Sequence, residues 1–258
     1  MPTDMLDAEP TSVFLLAHQD DEFGVFHAIE SEKKLGRRVV CAFLTSGVGP
    51  GGDPSQRDAE SMGVLTALGV DEVIFAGAQI GVADGHLRQS LPIAGQWIEK
   101  FLGPMLKLET LFVPAWEGGH PDHDCLHALA IEAAQSQGKV RSILQFSLYN
   151  GRGCPGPFFH VLKPLDVNGV VQQERIPVRK RIRYLKFLLR YRSQLKTWVG
   201  LMPFVLTHYF VKGTQDLQEV QSSRVHQRPH EGQLYYEKRG FARWEDVNAA
   251  IKAWQSMS

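Results

Sequence analysis

Residues 12–22 read SVFLLAHQDDE, an apolar run that ends directly in an imidazole and a cluster of acids. A short apolar run bounded by charge is typical of a buried strand. Residues 22–35 then carry apolar side chains on one face and end at a glycine, which predicts an amphipathic helix. A strand that leads into a helix begins an α/β unit, and such proteins keep their chemistry at the carboxyl edge of the sheet. We therefore predict that the polar side chains of residues 18–22 face a crevice at that edge.

This polar cluster has the composition of a metal site. One histidine with carboxylates two to four residues further on supplies two ligands and a spare carboxylate that can act as a base on water. A helix N-terminus also attracts acids, because they suit the positive end of its macrodipole, and the cluster alone leaves both interpretations open. A second stretch, GGHPDHD at residues 118–124, favours the metal site.

The remaining apolar and helical patterns alternate along the chain. Further strands are predicted at 38–45, 71–76, 111–115 and 142–149, and further helices at 55–68, 90–103, 120–137 and 244–254. This alternation argues for an α/β fold with a doubly wound, mostly parallel, Rossmann-like sheet in the order 3-2-1-4-5. Strands one and four are neighbours in that order, so both polar clusters would reach the same crevice. We expect a core at 1–150 and a helical and irregular C-terminal extension at 151–258, packed on or beside it.

Composition narrows the class of protein. The chain has 258 residues, 43% of them hydrophobic, which is enough for a sizeable core. A formal net charge of zero gives no general attraction to nucleic acid, and no such partner is expected. Three widely spaced cysteines, Cys41, Cys125 and Cys154, fit a reducing compartment better than a disulfide framework. We find neither a basic signal region nor a membrane-spanning apolar run, and therefore expect a cytoplasmic protein.

A catalytic zinc ion is usually held by three protein side chains and keeps a fourth coordination position open for water or substrate. The first cluster offers His18 and Asp21. The second offers His120 and His123, which the surrounding glycines and proline put at a loop-to-helix junction facing the crevice. His127 lies one helical turn further on, and we interpret it as structural because a lone histidine on a helix usually is.

Both clusters resemble the motifs of the LmbE/PIG-L-type zinc-dependent de-N-acetylases. That family has Ala-His-Pro-Asp-Asp-Glu and His-Pro-Asp-His, where this chain has AHQDDE at 17–22 and HPDH at 120–123. The resemblance covers about residues 12–150. It includes Thr45, Arg57, Glu60 and Asp84. Gln19 replaces the usual proline, which pre-sets the backbone and is not a ligand, so the change affects rigidity more than activity.

The resemblance implies a role for each site residue. The zinc ligands would be His18, Asp21 and His123. Asp20 would be the general base, His120 would assist at the oxyanion or the leaving amine, and Asp122 would orient His120. Arg57 and Asp84 would contact the sugar. Zinc lowers the pKa of its water towards about 7, so a nucleophile would exist at neutral pH.

The implied function is a hydrolase that removes the acetyl group from an N-acetylglucosamine-like sugar in glycan or polysaccharide biosynthesis and releases acetate. The sugar could be free, nucleotide-linked or lipid-linked. A zinc amidase acting on another acylated amine or sugar conjugate is an alternative. A more remote one is a nucleotide-binding module built on the glycine-rich residues 47–52, but that fingerprint follows the second strand and leaves His120 and His123 unexplained.

The extension has one distinctive segment. Residues 175–213 are rich in lysine and arginine, contain no acid, and become aromatic and apolar towards their end. A basic helix with an apolar stripe suits an anionic membrane surface, so peripheral contact at the inner membrane surface is one hypothesis. The alternative is that the apolar face packs on the sheet or on a second subunit of a homo-oligomer. Before this segment, the Asn168-Gly169 pair predicts a hairpin turn.

Overall fold

The structure is a computed structural model, which describes residues 9–257. Its strands are β1 (Thr11–Leu16), β2 (Arg38–Phe43), β3 (Glu72–Phe75), β4 (Leu108–Pro114), β5 (Ser142–Phe146), β6 (Tyr149–Asn150), β7 (His160–Val161), β8 (Val171–Arg175) and β9 (Thr214–Glu219). Seven of them form one sheet in the order β3-β2-β1-β4-β5-β9-β8, while β6 and β7 form a separate pair.

Helices cover both faces of the large sheet. They are α1 (Phe26–Lys34), α2 (Ser55–Leu68), α3 (Ala76–Ile80), α4 (Leu91–Leu102), α5 (Pro121–Gln137), α6 (Val178–Leu188), α7 (Leu195–Thr207), α8 (Tyr235–Lys238) and α9 (Trp244–Gln255). A short π-helical turn at His208–Lys212 continues α7.

The predicted α/β class and strand order are confirmed. Strands β3, β2, β1, β4 and β5 are parallel neighbours in the expected order. The extension also contributes to the sheet, because β9 pairs antiparallel with β5 and β8 pairs antiparallel with β9. The chain after residue 150 therefore continues the sheet as well as covering it.

Strand β1 lies at the centre of the core. Its side chains alternate between two apolar layers, as the period of a strand requires. Val13 and Leu15 face the layer that contains α4, α5 and α9. Phe14 and Leu16 face the layer that contains α1, α2, α6 and α7. Burial on both faces is typical of a central parallel strand, and it explains why the first motif begins with an unbroken apolar run.

Two local predictions are wrong. The fifth strand ends at Phe146, and the buried Glu117 beyond its end accepts the N–H groups of Leu148 and Tyr149, which draws the chain out of the sheet. The predicted hairpin at Asn168-Gly169 does not form, since β8 pairs with β9. The buried Asn168 side chain donates instead to the Trp116 carbonyl at 2.8 Å, and this contact fixes the turn to the core.

The first motif lies in a loop because α1 begins later than predicted. A 3-10 turn over Asp21–Gly24 precedes the helix, which starts at Phe26. Gly24 packs so closely that a Cβ atom there would lie 2.7 Å from the Leu148 side chain. The tight turn keeps the polar side chains at the edge of the sheet.

The basic segment divides into a packed face and an exposed face. Tyr184 of α6 and Trp198 of α7 are buried in the core, as the packing alternative predicted. Leu195, Val199 and Phe210 are nevertheless 59%, 77% and 70% exposed. Within residues 9–257, no helix has both the length and the apolar character needed to cross a membrane.

Candidate active site

A cavity of about 430 Å³ opens at the carboxyl ends of β1 and β4. Polar residues from both sequence clusters and from the loops between them line it: His18, Asp20, Asp21, Arg57, Asp84 and His120. Residues of the C-terminal extension complete the walls. The two clusters therefore do meet in one crevice, as the strand order required.

Asp21 lies between two histidines. Its Oδ1 atom is 3.1 Å from His123 Nε2, and its Oδ2 atom is 3.5 Å from His18 Nδ1. Oδ2 also accepts the backbone N–H groups of Ala17 and His18 at 3.1 and 2.8 Å. Burial raises the pKa of Asp21, but His123 and His18 outweigh it and hold this pKa well below its usual range. Asp21 is thus a carboxylate, the form that a metal ligand requires.

The opposite nitrogen of His18 faces two carboxylates. Nε2 lies 3.1 Å from Asp122 Oδ2 and 3.1 Å from Asp84 Oδ1. Asp122 is buried and is itself held by the backbone N–H groups of Gly85 and Leu87, at 2.7 and 3.1 Å. Acceptors on this side fix a proton on Nε2 and leave the Nδ1 lone pair for a metal, an arrangement common among metal-binding histidines.

Two overlapping groups in the described part of the chain could hold a metal ion, each with ligand atoms within 4.8 Å of one another. They are His18 with Asp21 and His123, and His18 with Asp84, His120 and Asp122. The first combines two imidazoles and one carboxylate, a donor set found in catalytic zinc sites. The surroundings of this group attract positive charge. Burial lowers the pKa of His18, but the carboxylates of Asp84 and Asp21 outweigh burial and hold this pKa well above its usual value.

Asp20 lies beside the first group without belonging to it. Its φ of 122° is one of two positive values at non-glycine positions within residues 9–257, and such backbone strain persists only where the surroundings hold it. The Asp20 N–H donates to Glu22 Oε2 at 2.8 Å, and Glu22 accepts the Tyr191 hydroxyl at 2.7 Å. Burial raises the pKa of Asp20 to about 8, against the lowering effect of Arg57 at 3.2 Å.

Arg57 lines the cavity, and most of its buried guanidinium is engaged by the loop. Its guanidinium donates to the carbonyls of Gly47 and Gln19 as well as to Asp20. Glu60, which follows Arg57 on α2, accepts hydrogen bonds from Ser193 of the extension. The glycine-rich loop thus holds an arginine beside Asp20.

Gln19 fastens the first motif with hydrogen bonds. Its Nε2 atom donates to Asp58 Oδ1 at 2.6 Å and to the Ser46 carbonyl at 3.2 Å. A Cβ atom at Gly47 would lie 1.8 Å from Gln19 Oε1, so a glycine is required opposite this side chain. The rigidity that a proline ring would give to the backbone is therefore supplied here by side-chain contacts.

His120 caps the N-terminus of α5. Its Nδ1 atom accepts the Asp122 N–H at 3.2 Å, so the neutral ring carries its proton on Nε2, which lies 4.0 Å from Asp84. Burial, reinforced by the charge of His18, lowers the pKa of His120 to about 4. The Asp122 carboxylate lies 4.0 Å from His120 and 3.1 Å from His18. Asp122 thus orients His120 through its backbone N–H, as expected of this residue, while its carboxylate contacts His18.

His127 does not reach this site. Its Nδ1 atom donates to the Pro114 carbonyl at 2.7 Å, and it belongs to neither potential metal group. This buried contact agrees with the interpretation of His127 as a structural residue.

Sequence reasoning missed the residues that wall the cavity. Aromatic side chains stand around it: Tyr149, Phe159, Tyr235 and Phe241. Two cations, Lys196 of α7 and Arg239 after α8, also line it. These residues follow the second motif in the chain at distances that no local pattern connects to it.

Comparison with known families agrees with this geometry. Residues 13–134 match the family model described as PIG-L, GlcNAc-PI de-N-acetylase. This range includes both polar motifs, and we identify it as a PIG-L family domain. The fold and the site agree with this match of residues 13–134 to the PIG-L (LmbE-like) de-N-acetylases, a family of hydrolases. A comparison with curated protein sequences gave no match.

Solved structures share the fold at low sequence identity. The A40926 pseudoaglycone deacetylase Dbv21 is 15% identical, with a TM-score of 0.61 over 83% of this chain and 98% of that one. The zinc-inhibited form of teicoplanin deacetylase Orf2 is 13% identical, with a TM-score of 0.60 over 82% and 99%. The N,N'-diacetylchitobiose deacetylase from Pyrococcus horikoshii is 15% identical, with a TM-score of 0.58 over 89% and 90%. These likenesses establish the fold, and the substrate must be argued from the site.

Proposed function

We propose that this protein is a zinc-dependent deacetylase that hydrolyses the acetamide of an N-acetylglucosamine-like sugar and releases acetate. The observation that carries the proposal is the juxtaposition of the His18, Asp21 and His123 ligand atoms with the half-buried carboxylate of Asp20. Two residues of this group, His18 and Asp21, line the cavity, and all three lie within the residues that match the PIG-L family model. The deacetylases with the same fold support the reaction class.

Zinc is the metal that these ligands suit best. Two imidazoles and one carboxylate leave an open coordination position on a tetrahedral ion. The contact of Asp122 with His18 Nε2 supports Nδ1 as the ligand atom, since a carboxylate behind a metal-binding histidine fixes its orientation. When bound, zinc would polarise the acetamide carbonyl and make water acidic enough to react near neutral pH.

Asp20 is the proposed general base. Its carboxylate is near the ligand group, is not part of it, and is held by Arg57 at 3.2 Å. As the water oxygen bonds to the acetyl carbon, Asp20 takes a proton from the water. The same proton then passes to the sugar nitrogen as the C–N bond breaks, which yields acetate and an amine.

His120 is proposed to stabilise the developing oxyanion. Because Nδ1 accepts a backbone N–H, the Nε2–H group is available to donate a hydrogen bond into the cavity. A donor that is already oriented towards the developing charge needs no reorganisation during the reaction. The low pKa of His120, about 4 because of burial and His18, keeps the ring neutral at pH 7.

The sugar is proposed to meet Asp84 and the aromatic walls. Asp84 is 36% exposed and can accept sugar hydroxyls, whereas Arg57 is committed to the loop and to Asp20. We therefore assign Arg57 to positioning the base. Tyr149 and Tyr235, whose ring centroids lie 5.6 Å apart, offer amphipathic faces suited to a sugar ring. In this proposal, the core at residues 1–150 supplies the reacting groups, and the extension at residues 151–258 shapes the cavity.

The exposed apolar face of α7 is proposed to touch an anionic membrane surface from the cytoplasmic side. Leu195 and Val199 of α7 and Phe210 of the π-helical turn that continues it are exposed, and exposed apolar surface marks interaction sites. Arg192 lies just before the same helix, is exposed, and forms no ion pair among residues 9–257. Basic charge around an apolar face favours acidic lipid over a second copy of the same basic segment.

Acetate release from a panel of substrates tests the function. The panel contains free, nucleotide-linked and lipid-linked N-acetylhexosamines and a simple N-acetylated amine without a sugar, with the Asp20→Asn variant as the control for background hydrolysis. We expect acetate from at least one sugar substrate and none from the simple amine. Turnover of the simple amine alone would indicate the amidase alternative, and no turnover of any compound would overturn the proposal.

A further inference from the structure

The segment between α6 and α7, residues 189–194, joins the extension to the core beside the first motif. The Ser193 hydroxyl donates to Glu60 of α2 at 2.6 Å, and this contact is exposed to solvent. The Tyr191 hydroxyl donates to Glu22 Oε1 at 2.7 Å, and this contact is buried. Tyr191 and Glu22 are 1% and 0% exposed. Because a hydrogen bond to a carboxylate is stronger away from water, the contact of Tyr191 is the stronger of the two.

The other carboxylate oxygen of Glu22 holds the backbone of Asp20. Glu22 Oε2 accepts the Asp20 N–H at 2.8 Å, while Oε1 accepts the Tyr191 hydroxyl. Asp20 has a φ of 122° and a ψ of −16°, a conformation that persists only where the surroundings hold it. Donors on both oxygens fix the orientation of the Glu22 carboxylate. Tyr191 is therefore linked to the strained residue through one buried side chain.

Tyr191 is itself held in place. Its ring centroid lies 6.1 Å from that of Trp198, which packs edge to face on Phe23 at 5.3 Å. Its carbonyl accepts the Gln194 N–H at 3.1 Å. Burial and the charge of Glu22 raise the pKa of Tyr191 well above its usual value of 10. The phenol therefore keeps its proton and remains a hydrogen-bond donor at neutral pH.

A second buried tyrosine makes the same kind of contact elsewhere. The Tyr184 hydroxyl of α6 donates to Glu30 Oε2 at 2.5 Å, and Glu30 also pairs with Lys180 at 2.7 Å. Neither Tyr184 nor Glu30 is among the described residues that line the cavity. Both tyrosines thus join the extension to the core, but Tyr191 does so through a carboxylate that also holds Asp20.

We propose that Tyr191 is a positioning residue, which fixes Glu22 and through it the strained backbone conformation of Asp20. The inference rests on the proposed function, in which Asp20 takes a proton from water. A displacement of about 1 Å can lower a rate about a hundredfold, because the reacting atoms must lie within hydrogen-bond reach. The extension then contributes to the reaction through a buried contact as well as through the walls of the cavity.

The kinetic test removes the phenol oxygen and keeps the ring. For wild type and Tyr191→Phe, kcat, KM and zinc content are measured with an N-acetylated sugar that wild type deacetylates. We expect kcat to fall about ten- to hundredfold in Tyr191→Phe, while KM and zinc content stay at the wild-type values. Tyr184→Phe is the matched control and should keep the wild-type kcat. An unchanged kcat in Tyr191→Phe, or an equal loss in the control, would overturn the inference.

A double-mutant cycle shows whether Tyr191 acts through Asp20. The general base is already absent in Asp20→Asn, so adding Tyr191→Phe should change kcat by no more than about twofold. A general loosening of the fold would instead lower the rate of Asp20→Asn by the same factor as that of wild type. Independent, additive losses would therefore contradict the positioning role.

Hydrogen exchange of the Asp20 amide separates failure of this inference from failure of the proposed deacetylation. It is measured by NMR on 15N-labelled protein without substrate, with the amides of β1 as the reference for overall stability. We expect the Asp20 amide to exchange at least about tenfold faster in Tyr191→Phe than in wild type or Tyr184→Phe, because Glu22 holds it less firmly. This result supports the positioning even if no sugar is deacetylated. If sugars are deacetylated and the exchange is equal in wild type and Tyr191→Phe, the proposed function stands and the inference fails.

Discussion

Asp122 Oδ2 lies 3.1 Å from His18 Nε2, and the same carboxylate accepts the N–H groups of Gly85 and Leu87. These contacts join the second motif to the first through a buried carboxylate that the backbone holds in place. His18 is thereby oriented with Nδ1 towards Asp21. The proposed metal site thus depends on a residue outside its ligand set.

Asp122→Ala should therefore weaken zinc binding about ten- to hundredfold without removing a ligand, which is the usual effect of losing the partner of a metal-binding histidine. Competition with a chromophoric chelator measures the affinity. Asp84→Ala is the matched control, because Asp84 also contacts His18 Nε2 but is 36% exposed. If the control variant lost as much affinity as Asp122→Ala, the role assigned to Asp122 would be wrong.

Asp20→Asn should retain zinc and lose about two to four decades of turnover, the range for a positioned general base. Metal content and the rate of acetate release are measured on the same sample. Glu22→Gln provides the comparison, since Glu22 is buried and already accepts from Asp20 N–H and from Tyr191. Near-normal turnover in Asp20→Asn, with the larger loss in Glu22→Gln, would move the base to Glu22.

His127 should make the fold sensitive to acid. Burial, opposed by the hydrogen bond to Pro114, lowers the pKa of His127 from 6.5 to about 4. The unfolded chain then binds a proton that the folded chain excludes, so stability present above pH 6.5 is lost as the pH falls from 6.5 to 4, by up to about 1.4 kcal/mol per pH unit.

Urea unfolding of metal-free His127→Asn across this pH range should show a pH dependence of the unfolding free energy that is smaller than that of wild type by up to one proton. The exposed His226→Asn variant controls for the general loss of a histidine. Equal slopes in wild type and His127→Asn would show that the folded protein accommodates the charged ring.

The proposed membrane contact predicts salt-sensitive co-sedimentation with vesicles containing phosphatidylglycerol. Replacing Leu195, Val199 and Phe210 by serine should abolish it, whereas serine at Val170, which is 87% exposed in another segment, should not. Absence of binding at any salt concentration, together with a dimer that the triple replacement dissociates, would assign this face to a second subunit instead.

The sequence predicted the features that depend on local pattern. The apolar runs gave the parallel strands in their correct order, because a strand buried on both faces needs an unbroken run such as Val13–Leu16. The strand order then brought the two motifs together. Gln19 could be recognised as a departure from the family, but its bonds to Asp58 and Ser46 depend on a loop that no periodicity describes.

Side-chain partners and cavity walls could not be predicted in this way. The Asp122 carboxylate lies 3.1 Å from His18 but 4.0 Å from His120. Spacing in the sequence does not encode this difference. The approach of Lys196 and Arg239 to the cavity depends on how the extension packs on the sheet. Such long-range contacts have no counterpart in helical or strand periodicity.

The most direct test of the account is acetate release from an N-acetylated amino sugar after chelation and after zinc is restored, for wild type and for His123→Ala, with zinc content determined on the same samples. Wild type should lose activity with the metal, regain it with about one zinc per chain, and keep its fold throughout because the sheet has its own core. His123→Ala should recover neither zinc nor activity. Full acetate release by chelated wild type, or full zinc content and activity in His123→Ala, would contradict the proposed metal site.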